Sequence, residues 1–529
     1  MNLDRNTIFG FIALAILFLG YFFYNSKDQQ RILAERARRD SIDNAGRPKA
    51  DPVTIKRDSV LIDSQNRVAA AGDYVQYTTG AERIIPIENE VAKYFFTNKG
   101  GQLKRVELKQ FRGPDSSLVK LGATPFDKFS YVIKTSADRT ADISGFYFTG
   151  GEVTRDAANN QTITFGVQSS NGTSMVHKYV IKPDNYMIDL DVQLNGLSQL
   201  TSNNTLNLTW QNQAVQLQKD LDYEKQQSQI SYRADADYDY SGAMESGSEE
   251  FEKNVNWVAV KQQFFHSAIV AKNNFSSGRV DWTSPNTGNA ITQATANFKY
   301  ILPASVNATI PLSLYYGPTD YKVLKKYDNE MEDMVNLGSG MFAFVKYLNR
   351  WIVIPVFDFF RMLTSNYGIV ILLLTLFIRL CISPLSYSSY LSGAKMKVLR
   401  PEIDKLKAKY GNDQQQISME QMKLFREAGV NPMGGCIPGL LQIPIFFALY
   451  SFFNSNVALR GQGFLWAEDL SQYDSILNLP FKIPFYGDHV SLFTITAVVT
   501  SFLISLYSMS MTPDQNNPVL KYMPYFFPI

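Results

Sequence analysis

Cysteine and histidine are scarce in this chain of 529 residues, which has two Cys and three His. These counts exclude a disulfide framework, a zinc ribbon and a multi-histidine metal centre. The net charge of +2 gives no overall attraction to nucleic acid, so we expect no direct DNA binding. The aspartate-rich segment Asp235–Gly242 departs from the calcium-loop pattern, because Tyr240 and Ser246 stand where that pattern needs Gly and Glu. We therefore expect no metal and no cofactor.

Long apolar runs occur only near the N-terminus and after about residue 340. The first run, Ile8–Tyr24, has about 17 residues, enough to cross a hydrocarbon core of about 30 Å. A cleaved signal peptide is the alternative. The run is longer than a usual signal-peptide core, and no small-residue cleavage site follows it. We predict a transmembrane anchor over residues 1–25.

The C-terminal third contains three further runs that predict membrane spans, at 367–385, 433–453 and 490–509. We assign residues 366–529 to a membrane core. Its final stretch, Tyr522–Ile529, is apolar but too short to span. Either it lies in the membrane interface or the chain stops partway through another span, which we favour. The predicted fold class is an α-helical membrane bundle with an N-terminal anchor helix plus an external all-β domain.

A helix of mixed character precedes the membrane core. Within Met341–Leu363, four charged residues share one helical face, and aromatic residues lie opposite them: Lys346, Arg350, Asp358 and Arg361. Such a helix is typical of the membrane surface. We predict an amphipathic interfacial helix over 336–365, with a true span as the alternative.

The part between the anchor and this helix divides in two. Residues 26–75 are polar and lack apolar periodicity, which indicates a tether. Residues 76–335 contain short alternating runs such as Ile188–Leu194 and Leu206–Trp210, separated by turn residues. Many short strands without helices between them predict an antiparallel β-sandwich. His177 and His266 lie in this domain, and we interpret both as packed or surface residues.

The distribution of lysine and arginine predicts the orientation. The loop 386–432 holds eight of them, whereas the loop 454–489 holds two against four acidic residues. We therefore place the first loop in the cytoplasm, the second outside, the large β domain outside and the N-terminus in the cytoplasm. Five basic residues between Lys27 and Arg39 conflict with this orientation, and we give the two C-terminal loops more weight.

Arg379 is the sequence feature that most needs a function. It lies about 9 Å from the end of its span at 1.5 Å per residue, and an arginine at the bilayer centre costs about 2.5–3.5 kcal/mol on insertion scales. No Asp or Glu lies inside a predicted span. Either its stem reaches the lipid headgroups, or it faces a wet cavity with Thr375 and Gln442, which we favour. No nucleophile or base lies beside it, so we predict no catalytic residue and no enzyme.

The cytoplasmic loop 386–432 predicts a helical hairpin. Two helix-prone stretches, 395–410 and 416–428, are separated by Gly411-Asn412-Asp413. The basic residues that we assign to this hairpin as a candidate contact surface are Lys395, Lys397, Arg400, Lys405, Lys407 and Lys409.

Three segments resemble the YidC-type membrane protein insertases. They are TLFIRLCISPL at 375–385, SGAKMKVLRPEIDKLKAKYGND at 392–413 and VNPMGGCIPGLLQIPIFFALY at 430–450. The resemblance covers about residues 340–529. The anchor and β-rich region resemble the bacterial form with a large periplasmic domain, in which that domain is a β-supersandwich.

The resemblance implies an inner-membrane insertase and chaperone with five conserved spans besides the anchor, of which the rest of the fourth and the last are expected to be missing from this sequence. Its groove, open to the cytoplasm and to lipid, would have Arg379 on its wall and Thr375 and Gln442 as polar neighbours. Short polar segments of nascent membrane proteins would cross through the groove, and apolar segments would leave into lipid. The implied partners are nascent membrane proteins and the bilayer, with the ribosome, the signal recognition particle receptor and the Sec translocon as further candidates.

Two alternatives belong to other classes. An anion transporter would use Arg379 as a binding site and should show inverted repeats, of which we find no convincing example. An anchored sugar-binding protein would place its function in the β domain. Deleting about residues 76–320 would separate these views, because insertion would survive only if the membrane core carries the activity.

Overall fold

The computed structural model describes residues 68–511 apart from six short gaps: 137, 286–287, 339–341, 412, 430–436 and 484–486, with 385 and some other helix residues described by backbone only. The predicted anchor, the predicted tether as far as residue 67, the motif at 431–436 and the C-terminal 512–529 lie outside the described residues. Two compact units are present. Of the described residues, those in 68–395 and 405–495 form one, and those in 396–404 and 496–511 belong to the other.

Nineteen strands occupy the first part of the described chain. Their bounds are β1 Ile84–Glu88, β2 Ala92–Thr97, β3 Gln102–Arg112, β4 Leu118–Leu121, β5 Lys128–Ser136, β6 Arg139–Asp142, β7 Thr149–Arg155, β8 Gln161–Gln168, β9 Ser174–Ile181, β10 Met187–Asn195, β11 Thr205–Val215, β12 Gln229–Ala234, β13 Asp237–Gly242, β14 Gly247–Phe251, β15 Val255–Lys261, β16 Phe265–Phe275, β17 Ser277–Thr283, β18 Ala290–Ile301 and β19 Asn307–Pro318.

These strands form three antiparallel sheets. Nine strands pair in the order β13-β12-β15-β16-β19-β10-β9-β8-β7, six in the order β14-β17-β18-β11-β5-β6, and the first four make a smaller sheet. The prediction of a large all-β domain is confirmed. Residues ahead of 76, our predicted first residue of this domain, also enter its core, since Ala71 and Tyr74 are buried there.

Alternation along the strands builds the core. On β10, Ile188, Leu190 and Val192 are fully buried, while Asp189 and Asp191 between them stay partly exposed. The same period on β11 buries Leu206, Leu208 and Trp210. Burying each such side chain contributes about 1.5–3 kcal/mol, so the two-residue period selects which face of each strand meets the core.

Both histidines of the β domain are packed in its interior, as predicted. His177 Nε2 lies 2.9 Å from the hydroxyl of Tyr131, and its Nδ1 lies 2.8 Å from the carbonyl of Gly101. His266 Nδ1 lies at hydrogen-bond distance, 2.9 Å, from the hydroxyl of Thr319. Burial lowers the pKa of His177 to about 4 and that of His266 to about 3, so both rings are neutral near pH 7.

The aspartate-rich segment forms a hairpin at the edge of the nine-stranded sheet. Asp235 and Ala236 occupy the turn between β12 and β13 with positive φ angles of 51° and 69°. This turn geometry follows the right-handed twist of the strands.

Helices follow the β domain and also connect some strands. Those inside or next to the domain are α1 Leu197–Leu200, α2 Leu221–Gln227 and α3 Tyr321–Lys325, and those after it are α4 Val345–Leu348, α5 Ile354–Leu363, α6 Tyr367–Val398, α7 Arg400–Tyr410, α8 Gln414–Glu427, α9 Ile437–Ser455 and α10 Leu492–Met511. A π-turn, Asn349–Val353, joins α4 to α5. A hairpin of β20 Leu477–Ile483 and β21 Gly487–Val490 precedes α10.

Helix α6 does not end where the predicted span ends. It continues beyond residue 385 to Val398 and contains Pro384 within its length. A proline removes only one backbone donor, and the helix continues past Pro384 and through Gly393. The two stretches of the predicted hairpin are helical, and Gly411, with φ of 59°, ends the first of them.

Candidate functional site

Helix α6 carries the candidate site. Its segment Tyr367–Pro384 is the one helix in the described part of the chain that is by itself long and apolar enough to cross a membrane, and only 17% of it is buried. The Asn366 side chain accepts a hydrogen bond from the backbone N–H of Ile369 at 3.2 Å and so caps its first turn. A long apolar helix exposed on most of its surface is typical of a membrane span.

A polar stripe runs along this apolar helix. Thr375, Arg379 and Ser383 are spaced by four residues and therefore share one face, and all three are exposed. The hydroxyls of Thr375 and Ser383 each donate to a backbone carbonyl of α6, at 2.8 Å. Within the described residues, Arg379 makes no hydrogen bond and no ion pair. Our sequence interpretation identified Thr375 and Arg379 but missed Ser383, although the same spacing could have found it.

Gln442 lies on α9 and is exposed. Among the described residues no hydrogen bond joins it to Arg379 or Thr375. The two helices do meet at the first turns of α6, where Val370 and Leu374 share a cluster with Phe452 of α9. At 1.5 Å per residue, Arg379 lies about 14 Å along α6 from Val370, and Gln442 lies about 15 Å along α9 from Phe452. The chain runs away from this contact along α6 and toward it along α9, so both residues lie on the same side of the contact. Arg379 and Gln442 are therefore at a similar distance from it.

The cluster at that end of α6 is apolar and closely packed. Its buried members are Val353, Phe357, Val370, Leu374, Phe452 and Leu459. The rings of Phe357 and Phe452 meet edge to face with 5.0 Å between their centroids, a favoured aromatic geometry. Water is therefore excluded at this end of the helices, whereas the polar stripe begins beyond it.

A buried amide ties this end to the β domain. The side-chain N–H₂ of Asn349, which is fully buried in the π-turn, donates to the carbonyls of Leu337 at 2.7 Å and Ala448 at 2.9 Å. One side chain thus holds three segments, namely the chain leaving the β domain, the π-turn and α9. Nothing in the sequence pattern distinguishes this asparagine.

The charged face of the predicted amphipathic helix is directed at the β domain. Arg350 pairs with Asp333 at 2.8 Å, and Lys322 pairs with Asp358. Trp351 and Phe359 are exposed, as are Met362 and Leu363. This division between a paired charged face and an exposed apolar face agrees with a helix at a membrane surface.

A second joint connects the β domain to the segment after α9. Arg460 donates to the carbonyl of Leu217 at 2.6 Å, to Gln218 Oε1 at 3.2 Å and to the carbonyl of Arg112. Asn454 accepts a hydrogen bond from the hydroxyl of Tyr223 at 2.6 Å. Our sequence interpretation missed this joint, because it treated Arg460 only as a charge in a loop.

Glu224 lies behind Arg460 and is fully buried. Its carboxylate accepts the backbone N–H groups of Leu217 and Gln218, at 2.8 and 2.9 Å, and the amide of Gln262 at 2.9 Å. Burial raises the pKa of Glu224 to about 7, while these hydrogen bonds and the charge of Arg460 act in the opposite direction. The carboxylate and the guanidinium hold the same short segment, 217–218, from two sides.

The basic residues assigned to the hairpin lie on two helices. Lys395 and Lys397 are exposed on the last turn of α6, Arg400 begins α7, and Lys405, Lys407 and Lys409 follow on α7. The ammonium of Lys409 lies 5.0 Å from the ring centroid of Tyr410. These residues provide a basic segment beyond the apolar part of α6.

Comparison with known proteins assigns both halves of the chain. Residues 84–354 match the family model described as the YidC periplasmic domain, and residues 359–529 match that of the 60Kd inner membrane protein. The chain is 32% identical over 549 residues to the membrane protein insertase YidC of Cytophaga hutchinsonii, covering 100% of this chain and 86% of the relative. It is 30% identical over 552 residues to that of Phocaeicola vulgatus, with 100% and 86% covered.

A solved structure is also similar to the chain. A crystal structure of an active YidC insertase with its first transmembrane domain resolved matches with 19% identity and a TM-score of 0.32, covering 90% of this chain and 92% of that chain. The match to the periplasmic-domain model covers more than half of the 529 residues, and the curated relatives align over the whole length. The chain therefore belongs to the YidC family of membrane protein insertases.

Proposed function

We propose that this insertase, an inner-membrane protein with a periplasmic domain, moves short polar segments of nascent membrane proteins across the bilayer along the stripe of Thr375, Arg379 and Ser383. Gln442 faces the same water-filled groove from α9. The carrying observation is that an arginine without a described partner lies exposed on an apolar helix whose other end is closed by apolar packing. A cation in that position is stabilised by water or by an anionic passenger.

Insertion through this groove needs no chemical step. A polar tail that crosses the bilayer loses its hydration over the whole apolar thickness, and a wet groove in the inner half shortens that distance. Arg379 attracts acidic groups on the tail, and the hydroxyls and the amide solvate its backbone. The apolar segment of the client then leaves sideways into lipid, driven by about 25 cal/mol per Å² of apolar surface removed from water.

The proposed architecture is a bundle in which α6, α9 and α10 span the membrane. Its orientation places the N-terminus and the hairpin in the cytoplasm and the β domain in the periplasm. Two observations support this orientation: the hairpin is basic, and the segment 454–468 docks on the β domain through Asn454 and Arg460. Both favour a β domain at the end of α6 opposite the hairpin.

The hairpin is the proposed receiving surface. Its basic side chains suit an acidic or phosphate-rich partner, which fits the ribosome, and the signal recognition particle receptor and the Sec translocon are further candidates. Helix α8 adds exposed methionines, Met419 and Met422. Flexible thioether side chains of this kind adapt to varied apolar segments.

Site-specific photocrosslinking tests the proposal. A photoreactive residue at position 379 should crosslink to a ribosome-stalled nascent chain whose polar tail is in transit. Position 377, where Phe377 is partly exposed on the face of α6 opposite Thr375 and Arg379, is the control and should crosslink to the apolar segment or to lipid. Crosslinks from 377 to the polar tail, with none from 379, would contradict the proposal.

A further inference from the structure

The segment between α9 and α10 exposes apolar side chains at two places. One is the turn Phe464–Ala467, closed by reciprocal backbone hydrogen bonds of 2.9 and 3.0 Å. The other is the hairpin of β20 and β21. Leu465 is 71% exposed, Phe481 60% and Leu477 58%. Glu468 and Asp469 lie between these two places, and the hairpin itself contains Lys482 and Asp488.

The turn has an unusual residue at its tip. Leu465 has a φ of 55°, in the left-handed region that favours glycine, and it is followed by Trp466. A two-residue turn in water usually takes Gly, Asn or Asp here. A strained, exposed leucine next to a tryptophan suggests an apolar surrounding for this tip.

The hairpin of β20 and β21 also exposes apolar side chains that an apolar surrounding would stabilise. Three apolar residues, Leu477, Leu479 and Phe481, occupy alternate positions of β20, and the first and last of these are exposed. The pairing with β21 is regular at Leu477 and Asn478 and irregular from there to Ile483. Within the described chain, β20 and β21 pair only with each other. A two-stranded hairpin is marginally stable in water unless its apolar face is covered.

Both places are fixed at the ends of apolar helices. The ring of Phe464 lies against Gly368 in the first turn of α6, so closely that no side chain would fit at position 368. The indole N–H of Trp466 donates to Asp474 at 2.9 Å, and the same carboxylate oxygen accepts the N–H groups of Leu492 and Phe493 at 2.9 and 3.0 Å. The turn therefore lies level with the first residues of α6 and of α10.

We infer that the turn Phe464–Ala467 and the exposed apolar side chains of β20 insert into the outer leaflet of the bilayer, at the boundary between headgroups and acyl chains. Continuity with the two apolar helices selects lipid as the occupant. Trp466 and Tyr473 are of the type that occupies the interface, and Leu465, Leu477 and Phe481 reach further into the acyl region. The inference rests on the proposed orientation, because that orientation places this segment on the periplasmic side.

Spin-label accessibility measures the depth. In full-length protein with Cys381→Ser and Cys436→Ser, single cysteines at 465 and 481 are labelled after reconstitution in vesicles of phosphatidylethanolamine and phosphatidylglycerol. We expect both labels to be more accessible to oxygen than to a water-soluble nickel chelate. Asn478→Cys, on the face of β20 opposite Leu477 and also exposed, is the matched control and should show the reverse.

Three results would overturn the inference. Aqueous labels at both 465 and 481 would place the segment in the periplasm, whereas labels reached by neither reagent would show a protein cover, such as another segment of this chain or a second copy. If the label at 478 were also more accessible to oxygen than to the nickel chelate, β20 would contact lipid without preference for its apolar side chains, and the inference would be wrong. Labelling of the Asn478→Cys variant by an impermeant maleimide on spheroplasts tests the orientation separately, so its failure is distinguishable from a failure of the lipid contact.

Discussion

Replacing Arg379 with alanine should lower the insertion rate of a client with an acidic external tail by about 10- to 100-fold. Two unit charges about 5 Å apart interact with about 3 kcal/mol at an effective dielectric constant of about 20, and each 1.4 kcal/mol changes a rate about tenfold. The loss arises because no acidic partner of Arg379 lies in the described structure, so its charge is free to act on a passenger. The measurement is in vitro insertion into proteoliposomes.

Two controls make this result specific to charge. A client whose tail aspartates are changed to asparagine should lose less than about threefold in the Arg379→Ala protein. Arg379→Lys should retain most of the activity toward the acidic tail, because it keeps the charge at nearly the same depth. Equal insertion of acidic and neutral tails by Arg379→Ala would show that the guanidinium does not contact the passenger.

Replacing Arg460 with alanine should destabilise the joint between the β domain and the segment after α9 by about 2–4 kcal/mol. The variant loses three hydrogen bonds, to Leu217, Gln218 and Arg112, and removes a cation that acts on the buried Glu224. For a domain of this size we expect the thermal unfolding midpoint to fall by about 5–10 °C. Unfolding followed by the fluorescence of the buried Trp210 and Trp257 measures it.

The same interface offers a matched control. Lys219 pairs with Glu468 at 3.4 Å, and the two side chains are largely exposed. Removing an exposed pair changes stability by less than about 1 kcal/mol, so Lys219→Ala should leave the midpoint within about 2 °C of the parent. A similar drop for both variants would mean that the joint depends on overall charge and not on the buried contacts of Arg460.

The effect of Arg460→Ala should also depend on pH. Burial raises the pKa of Glu224 from 4.5 to about 7, so the folded protein holds this proton where the unfolded chain has released it. Stability is therefore lost as the pH rises from the unfolded pKa to the folded one, and the positive charge of Arg460 opposes this loss. The variant should consequently lose more stability at pH 8 than at pH 6, and adding Glu224→Gln should remove the difference.

The β domain was predictable in its class and not in its pairing. The alternation of apolar and polar residues at Ile188–Leu194 indicates which side chains face the core, because this two-residue period depends only on neighbouring positions in one strand. The pairing of β10 with β19, which are far apart in the sequence, depends on contacts that no local pattern carries. The length of α6 was also not predicted. The sequence shows where the apolar run ends, but the helical backbone continues past that point.

The candidate site divides in the same way. Arg379 and Thr375 were found because a charge in an apolar run is costly, and the four-residue spacing reports a shared face. Asn349 and Glu224 were missed because their roles come from burial between distant segments. The amphipathic helix was recognised from its charges, yet the partners of those charges lie in or next to the β domain and became visible only in the fold.

The family assignment also bears on the alternatives from the sequence. An anion transporter and an anchored sugar-binding protein are not favoured, because both halves of the chain match one insertase family in order. Membership also agrees with the expectation that the protein is not an enzyme. The proposed passenger route then depends on whether water reaches the stripe on α6.

The most direct test of that claim compares two cysteines on opposite faces of α6, Thr375→Cys and Phe377→Cys, in cysteine-free protein in native membranes. Thr375 is exposed and Phe377 partly exposed, but the proposed groove wets only the first. A water-soluble maleimide reacts with the thiolate, which forms only where water is present. We predict rapid labelling at 375 and little at 377. No labelling at 375, or equal labelling at both positions, would contradict a hydrated groove.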